Sequence, residues 1–301
     1  MRYYSLNDYC KKTFGEKVYK LSLNGGMTCP NRDGSLSYTG CFYCSEGGSG
    51  DFASDSSLPI AAQLSEARRR LSSKTDCRKF IAYFQAFTNT YAPVEYLEKI
   101  FYEAISDPSV CVLSIGTRTD CFNDEIYDLL SRLNNIKPVW IELGLQSIHQ
   151  STLDAMNTHT KVSDFTVVCN ELNKRSIKVI AHLILGLPGE TKEMMLESVD
   201  FAAKSNIFGI KLQLLHVLRN TKLAELYEKD PFPLFSLEEY CDFIVDCIER
   251  LPPGMVIHRM TGDGPRKLLI APMWSTDKKR VLNTINQNLI KRNTYQGRFF
   301  M

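Results

Sequence analysis

Cys29, Cys41 and Cys44 are the residues whose type and spacing point most directly to chemistry. Eleven residues separate the first from the second, and two separate the second from the third. Gly25, Gly26, Gly34 and Gly40 punctuate the stretch, and Gly47, Gly48 and Gly50 follow it. An apolar run just ahead, Val18-Tyr19-Lys20-Leu21-Ser22-Leu23, reads as a strand, so the thiols sit on a long loop that can bring them to one point. Thiolates select soft metals: zinc, copper(I) or an iron–sulfur cluster. Structural zinc and ordinary iron–sulfur clusters both take four protein ligands. No further Cys or His stands at a finger-like spacing; the nearest thiols are Cys10 and Cys77, and the first histidine is His149. Two readings remain open on the residues alone. One is a zinc site with a distant fourth ligand. The other is a three-thiolate cubane whose open iron binds a small molecule.

The elements that must hold this loop alternate between strand and helix. After the first strand come apolar runs Phe80–Phe84, Val110–Ile115, Val139–Gly144, Ile177–Ile184 and Ile210–Leu215. Helical spacing marks Pro59–Ser73, a segment opened by Pro93, one capped by Asn123 and ending near Leu133, Gln150–Met156, Asp164–Asn173 and about Thr191–Ala203. Six strands with helix-length crossovers imply a parallel sheet. Their near-continuous apolar character implies cover on both faces. The periodicity fits an open, doubly wound sheet or a barrel equally well.

Beyond the sixth strand the pattern changes. Ser236-Leu237-Glu238-Glu239 is a capping box opening a helix to about Leu251, ended by Pro252-Pro253-Gly254. Val256-Ile257-His258 is short and strand-like, and a last helix spans about Asp277–Arg292. The expected organisation is one domain: residues 1–220 with the cysteine loop at 24–52, and a C-terminal extension, 221–301, packed on it.

Composition bounds the class. The chain has 301 residues, 44% hydrophobic, with a net charge of +2. That excludes a uniformly basic nucleic-acid binder but leaves room for a local basic patch. Ten cysteines are too sparse for a disulfide scaffold. Met1–Lys20 is mixed and polar rather than a leader, and no run approaches the ~20 apolar residues of a membrane span. The expectation is a cytoplasmic protein whose cysteines serve metal or catalysis.

Several polar residues interrupt the strands. Glu142 is costly in an apolar strand unless paired, and a salt bridge to Arg118 is one candidate pairing. His182 breaks the fifth strand; a lone histidine there is commonly a satisfied core residue. Gln85 and Asn89 end the second strand, where turn residues often bond local backbone. Arg118, Asp120, Lys211, Gln213, His216, Arg219, Arg259 and Asp263 fall near strand ends or in late motifs and could shape a pocket. Cys77, Cys111, Cys169, Cys241 and Cys247 read as small core residues.

The cysteine pattern resembles a radical S-adenosylmethionine (SAM) enzyme with an expanded first gap. More narrowly, the chain resembles the YhcC/YtqA-like branch, related to the tRNA-modifying Elp3 group. Matching stretches run along nearly the whole chain: Tyr83–Pro93, Ser114–Cys121, Glu142-Leu143-Gly144-Leu145-Gln146-Ser147, Gly186-Leu187-Pro188-Gly189-Glu190-Thr191 and His258–Pro265. The resemblance implies an α/β fold, a partial (β/α)6 TIM-like barrel with chemistry at the C-terminal strand ends and a C-terminal extension of helix and strand. It implies a [4Fe-4S] cluster on Cys29, Cys41 and Cys44 and reductive cleavage of SAM to a 5′-deoxyadenosyl radical. It places Tyr43 against the adenine, makes Gln85 and Asn89 candidates for the SAM amino group, and gives Glu142, Gln146 and His182 cofactor roles. The family's Gly-Gly-Glu run at the second strand end is missing here. It further implies a flavodoxin- or ferredoxin-type electron donor and a tRNA substrate, specifically the conversion of wobble 5-carboxymethylaminomethyluridine to aminomethyluridine. Rival functions are a radical enzyme for a small metabolite and a non-catalytic, zinc-stabilised binding module.

Basic runs occur at Arg68-Arg69-Arg70, Lys174-Arg175 and Lys278-Lys279-Arg280. Only the last group, extended by Lys291, Arg292 and Arg298, is interleaved with aromatics: Trp274, Tyr295, Phe299 and Phe300. Cations among aromatics suit phosphates and unstacked bases, so this tail is a candidate RNA contact.

Overall fold

A computed structural model describes residues 2–72, 76–262 and 264–300; Asp263, and Ser73 at the expected end of the first helix, lie outside them. The chain enters through α1 (Leu6–Phe14), opened by a capping box in which Ser5 Oγ accepts from the Asp8 amide. Then follow β1 (Tyr19–Leu23), the cysteine loop, α2 (Ile60–Ser72), β2 (Phe80–Phe84), α3 (Val94–Ser106), β3 (Val110–Thr117) and α4 (Asp124–Asn134). Next come β4 (Val139–Gln146), α5 (Gln150–Ala155), α6 (Val162–Lys174), β5 (Lys178–Leu185), α7 (Lys192–Lys204) and β6 (Gly209–Leu214). The remainder is β7 (Val217–Leu218), α8 (Lys222–Lys229), α9 (Leu237–Arg250), β8 (Val256–Arg259), β9 (Leu269–Ala271) and α10 (Lys278–Lys291).

One parallel sheet runs in the order β1-β2-β3-β4-β5-β6-β8. The short strand expected in the extension is its seventh member, pairing beside β6. The sheet curls: Lys20 on β1 and Lys211 on β6 both reach Glu142 on β4 across its concave face. Among the described residues β1 and β8 do not pair, so the barrel is open, and the Ser5–Ile257 bridge crosses its edge at one point. This is the partial TIM-like barrel.

Successive side chains of a strand point to opposite faces. Outward residues such as Leu113, Ile115, Ile141 and Leu143 join the helices in the main core. Inward residues form layers. Val18, Ile81, Val112, Trp140 and Ile180 make an apolar plug, packed from outside by Leu6, Tyr9 and Phe14 around α1. Above the plug the inward side chains turn polar: Lys20, Tyr83, Ser114, Glu142, His182 and Lys211. The cysteine loop lies above them, because all seven strands share one direction.

Helix ends follow the sequence signals. Asn123 caps α4, Thr191 caps α7, and Ser236 with Glu239 forms the expected box at α9. α1, α8 and the antiparallel pair β7–β9 lie outside the elements expected from periodicity. No helix among the described residues is long and apolar enough to cross a membrane.

Candidate active site

Cys29, Cys41 and Cys44 line one cavity of about 260 Å³ at the C-terminal strand ends. All three are free thiols and half-buried. Residues between them build the loop. Asn31 is fully buried and its Nδ2 donates to Cys41 Sγ at 3.4 Å and to the Asn157 carbonyl at 2.6 Å. Arg32 donates to the carbonyls of Cys44 (3.0 Å) and Ser45 (2.7 Å), bending the chain round the last cysteine. The Cys44 hydrogen bond, with Arg118 and Asn31 behind it, holds the Cys41 thiol below its ordinary range; the same bond pushes Cys44 up. Among the described residues no three His, Cys, Asp or Glu side chains converge as a single-ion site.

The cavity floor is a buried charge network centred on Glu142. Its Oε1 accepts from Lys20 Nζ and, at 2.8 Å, from Ser114 Oγ. Its Oε2 accepts from Lys211 Nζ and, at 2.8 Å, from His182 Nε2. Lys211 Nζ also donates to Tyr83 Oη at 3.1 Å, and both lysines lie over the Tyr83 ring. Burial alone would raise the Glu142 carboxyl, but Lys20 and Lys211 hold it well below the usual range. Burial lowers Lys211 and brings His182 down to about 4, so the imidazole is neutral.

The β4 end carries backbone strain. Gln146 has φ +63° at a register irregularity with β5. A non-glycine residue held at positive φ costs free energy and is a pointer to function. Its side chain folds back over Gly144, where a Cβ would stand 2.6 Å from Gln146 Nε2. Its Oε1 is buried at the cavity without a hydrogen-bond partner.

A family model described as the Radical SAM superfamily matches residues 28–202, more than half of the chain. The chain belongs to the radical SAM superfamily. A second model, the Radical_SAM C-terminal domain, matches residues 207–291. YtqA of Bacillus subtilis is 42% identical over 299 residues, covering 99% of this chain and 93% of its own. The tRNA uridine(34) acetyltransferase of Methanocaldococcus jannaschii is 26% identical over 169 residues, 53% of this chain but 30% of that protein. Among solved structures, the Methanocaldococcus infernus Elp3 superposes with a TM-score of 0.70 at 17% identity, covering 93% of this chain and 64% of that one. The fold is thus that of radical SAM enzymes, whose cofactors are a [4Fe-4S] cluster and SAM.

The residues present fit those cofactors. Three thiols face one cavity, as a three-thiolate cluster with an open iron requires. Gln146 Oε1 and His216 Nε2 are buried polar atoms at its wall awaiting partners, a condition a polar ligand relieves. Gly116 and Gly144 keep the β3 and β4 ends open to it.

Of the residues expected to bind cofactor, Tyr43, Gln85, Glu142, Gln146 and His182 all line the cavity. Asn89 does not. It is fully buried behind the wall, with its amide and Nδ2 donating to the Gly116 carbonyl on β3, so it ties the β2 end to the neighbouring strand rather than to local backbone. Gln85 bonds the Ser49 carbonyl and thereby ties the β2 end to the cysteine loop. Phe42 packs outside, near Met156 and Leu223. The candidate bridge between Glu142 and Arg118 does not form. Arg118 forks onto Asp120 at 2.8 and 2.6 Å and donates to the Thr158 carbonyl, while two lysines hold Glu142. Sequence reasoning misses Lys20, although it interrupts β1 as Glu142 interrupts β4. Of the pocket-shaping candidates, Lys211, Gln213, His216 and Arg259 line the cavity with Arg118; Arg219 is exposed beyond it.

The C-terminal tail is displaced from the site. Gln296 donates to the carbonyls of Pro252 and Met255, and Phe299 to that of Glu249, all at the N-terminal end of β8. Arg259, Gly262, Gly264 and Pro265, at its other end, line the cavity. Arg298, Phe299 and Phe300 therefore lie at the opposite end of the barrel from the cysteines.

Proposed function

We propose that this radical SAM enzyme acts on tRNA at the wobble uridine, converting 5-carboxymethylaminomethyluridine to aminomethyluridine. The observation that carries the reading is the match to a tRNA uridine(34) acetyltransferase over 169 residues, 53% of the chain. A basic fringe supports it: Arg219, Arg266 and Lys267 are exposed on the β7–β9 pair, whose neighbours Leu218 and Pro265 line the cavity. Phosphate contacts at the mouth would hold an RNA with one nucleotide directed inward.

When bound, the cluster and SAM supply a 5′-deoxyadenosyl radical; the chain binds, orients and shields. Cys29, Cys41 and Cys44 hold the cluster. Tyr43, Gln85, Gln146 and His182 line the cavity, where Tyr43 would pack against the adenine and the other three would offer polar partners to SAM. Glu142 reaches a ligand only by releasing one of its four donors, so its first duty is to neutralise Lys20 and Lys211. A flavodoxin- or ferredoxin-type protein in the cytoplasm supplies the electron. Nucleosides from tRNA of cells with and without the gene test the substrate. Accumulation of 5-carboxymethylaminomethyluridine at the expense of aminomethyl products is expected without it; identical profiles overturn the assignment.

A further inference from the structure

Asn31 and Arg118 come from distant parts of the chain, yet one turn holds both. The turn follows α5. The Asn157 carbonyl accepts from Asn31 Nδ2 at 2.6 Å, and the next carbonyl, that of Thr158, accepts from Arg118 Nη1 at 2.9 Å. Asn157 takes φ +53°, and its own Nδ2 donates to the Gly40 carbonyl at 2.9 Å, which ties the turn to the residue before Cys41. Consecutive carbonyls thus fix two polar side chains beside one thiol.

Each of the two keeps a donor for that side. Asn31 is fully buried, and its Nδ2 gives one hydrogen to Asn157 and the other to Cys41 Sγ at 3.4 Å. The amide cannot be turned over, since its oxygen would then face the Asn157 carbonyl. The Arg118 side chain is 11% exposed and uses three of its five N–H groups, two on Asp120 and one on Thr158. Arg118 lines the cavity with all three cysteines; Asp120 does not, and lines a neighbouring cleft with Phe122 and Asn123 instead. The ion pair therefore turns its positive end toward the thiols. Burial opposes the Arg118 charge, but Asp120, Cys41 and Cys29 together raise its pKa above the ordinary arginine range, which puts the guanidinium close to both cysteines.

We infer that Arg118 and Asn31 set the reduction potential of the cluster on Cys29, Cys41 and Cys44, holding it higher than the thiolates alone would. Reduction of [4Fe-4S]²⁺ to [4Fe-4S]⁺ takes up one electron and breaks no bond. It adds a negative charge to a group that the thiolates have already made anionic. A fixed cation and a hydrogen bond to sulfur both favour the more negative state, and net charge and sulfur hydrogen bonds are among the determinants of such potentials. The 157–158 turn matters because a guanidinium or amide free to swing away would lose the effect. The inference needs no particular substrate, so it stands apart from the tRNA reading.

Anaerobic redox titration of the reconstituted protein with titanium(III) citrate, followed by electron paramagnetic resonance without SAM, reads this couple directly. Arg118→Gln should make reduction at least tenfold less favourable, a fall of about 59 mV for one electron, with iron per chain as in wild type. Arg118→Lys keeps the charge and loses the fork, so its potential should fall between those two, and Asn31→Ala should shift in the same direction as Arg118→Gln. An unchanged potential in Arg118→Gln overturns the inference, even where SAM binds more weakly, since that result assigns the guanidinium to SAM. If the variants lose the cluster, wild-type protein carrying nitrogen-15 only in arginine guanidinium and asparagine amide groups decides. Hyperfine coupling of the reduced cluster to a labelled nitrogen is expected; no coupling overturns the inference.

Discussion

His182 Nε2 donates to Glu142 Oε2 across neighbouring strands at 2.8 Å, and burial keeps that imidazole uncharged, with its pKa down to about 4. The carboxylate therefore faces one neutral imidazole and the Nζ atoms of Lys20 and Lys211, both lysines lowered by burial. Glu142→Gln keeps the shape and removes the charge. The buried Lys211 and the half-buried Lys20 would lose their shared partner, and breaking such a group by removing one partner costs about 3 kcal/mol or more. Urea unfolding of the variant checks it; a loss below about 1 kcal/mol would show that the lysines do not depend on Glu142.

Acid should unfold the protein through its histidines. Burial lowers His182 and His216 to about 4 and His258 well below the imidazole range. The unfolded chain takes protons on these rings near pH 6.5, and the folded chain does not. More protons bind to the unfolded state, so stability falls as pH drops from about 6.5 toward 4, with a slope of up to three protons. Glu142, held low by the lysines once folded, adds a further loss below about pH 4.5. His258 packs edge-to-face with the Trp140 and Phe208 rings, and burial is the largest cause of its lowered pKa. His258→Gln should reduce the slope of unfolding free energy against pH by one proton; an unchanged slope contradicts a neutral His258.

Gln146 should govern SAM affinity. Gln146→Ala removes the unpartnered Oε1, and Gly144→Ala displaces the same amide through a Cβ 2.6 Å from Nε2. Both should raise the SAM dissociation constant about tenfold, the worth of one hydrogen bond of ~1.4 kcal/mol, with iron content unchanged. Affinity equal to wild type in both variants would mean that Gln146 serves the backbone alone.

tRNA binding should depend on the mouth and not on the tail. Arg266→Ala with Lys267→Ala should weaken binding and flatten the dependence of log K on log salt by about one unit for each phosphate left without its cation. Arg298→Ala with Phe299→Ala should change neither, because that tail packs beside Glu249 and Pro252 at the far end. Filter binding across a salt series decides between them.

Much of this is legible in the chain because local signals and tertiary demands agree. The Asn123, Thr191 and Ser236 caps sit where their side chains can meet orphan amides. Glu142 and His182 stand out as polar breaks in apolar strands, and the cavity holds both. Lys20 carries the same signal but is hidden, since β1 is only five residues long and Lys20 sits at its second position, where a solvated strand end is the ordinary reading. The strand at Val256-Ile257-His258 is legible, but its place beside β6 is not, because four residues, Val256–Arg259, after a Pro-Pro-Gly turn read as part of a separate extension. Partner choice is not legible at all. Arg118 can be matched to Glu142 by charge, but only the fold shows Asp120 two residues away with both oxygens on its fork. The aromatic and basic tail reads as an RNA contact by composition; its burial of Gln296 against Tyr4, Pro252 and Met255 is a packing role that composition does not reveal.

Electron paramagnetic resonance of the anaerobically reconstituted, dithionite-reduced protein, recorded before and after adding SAM, tests the three-thiolate site most directly. A [4Fe-4S]⁺ signal whose g-values shift on adding SAM is the predicted result, because Cys29, Cys41 and Cys44 leave one iron for the cofactor. A signal indifferent to SAM, or a colourless protein retaining one zinc, would contradict it.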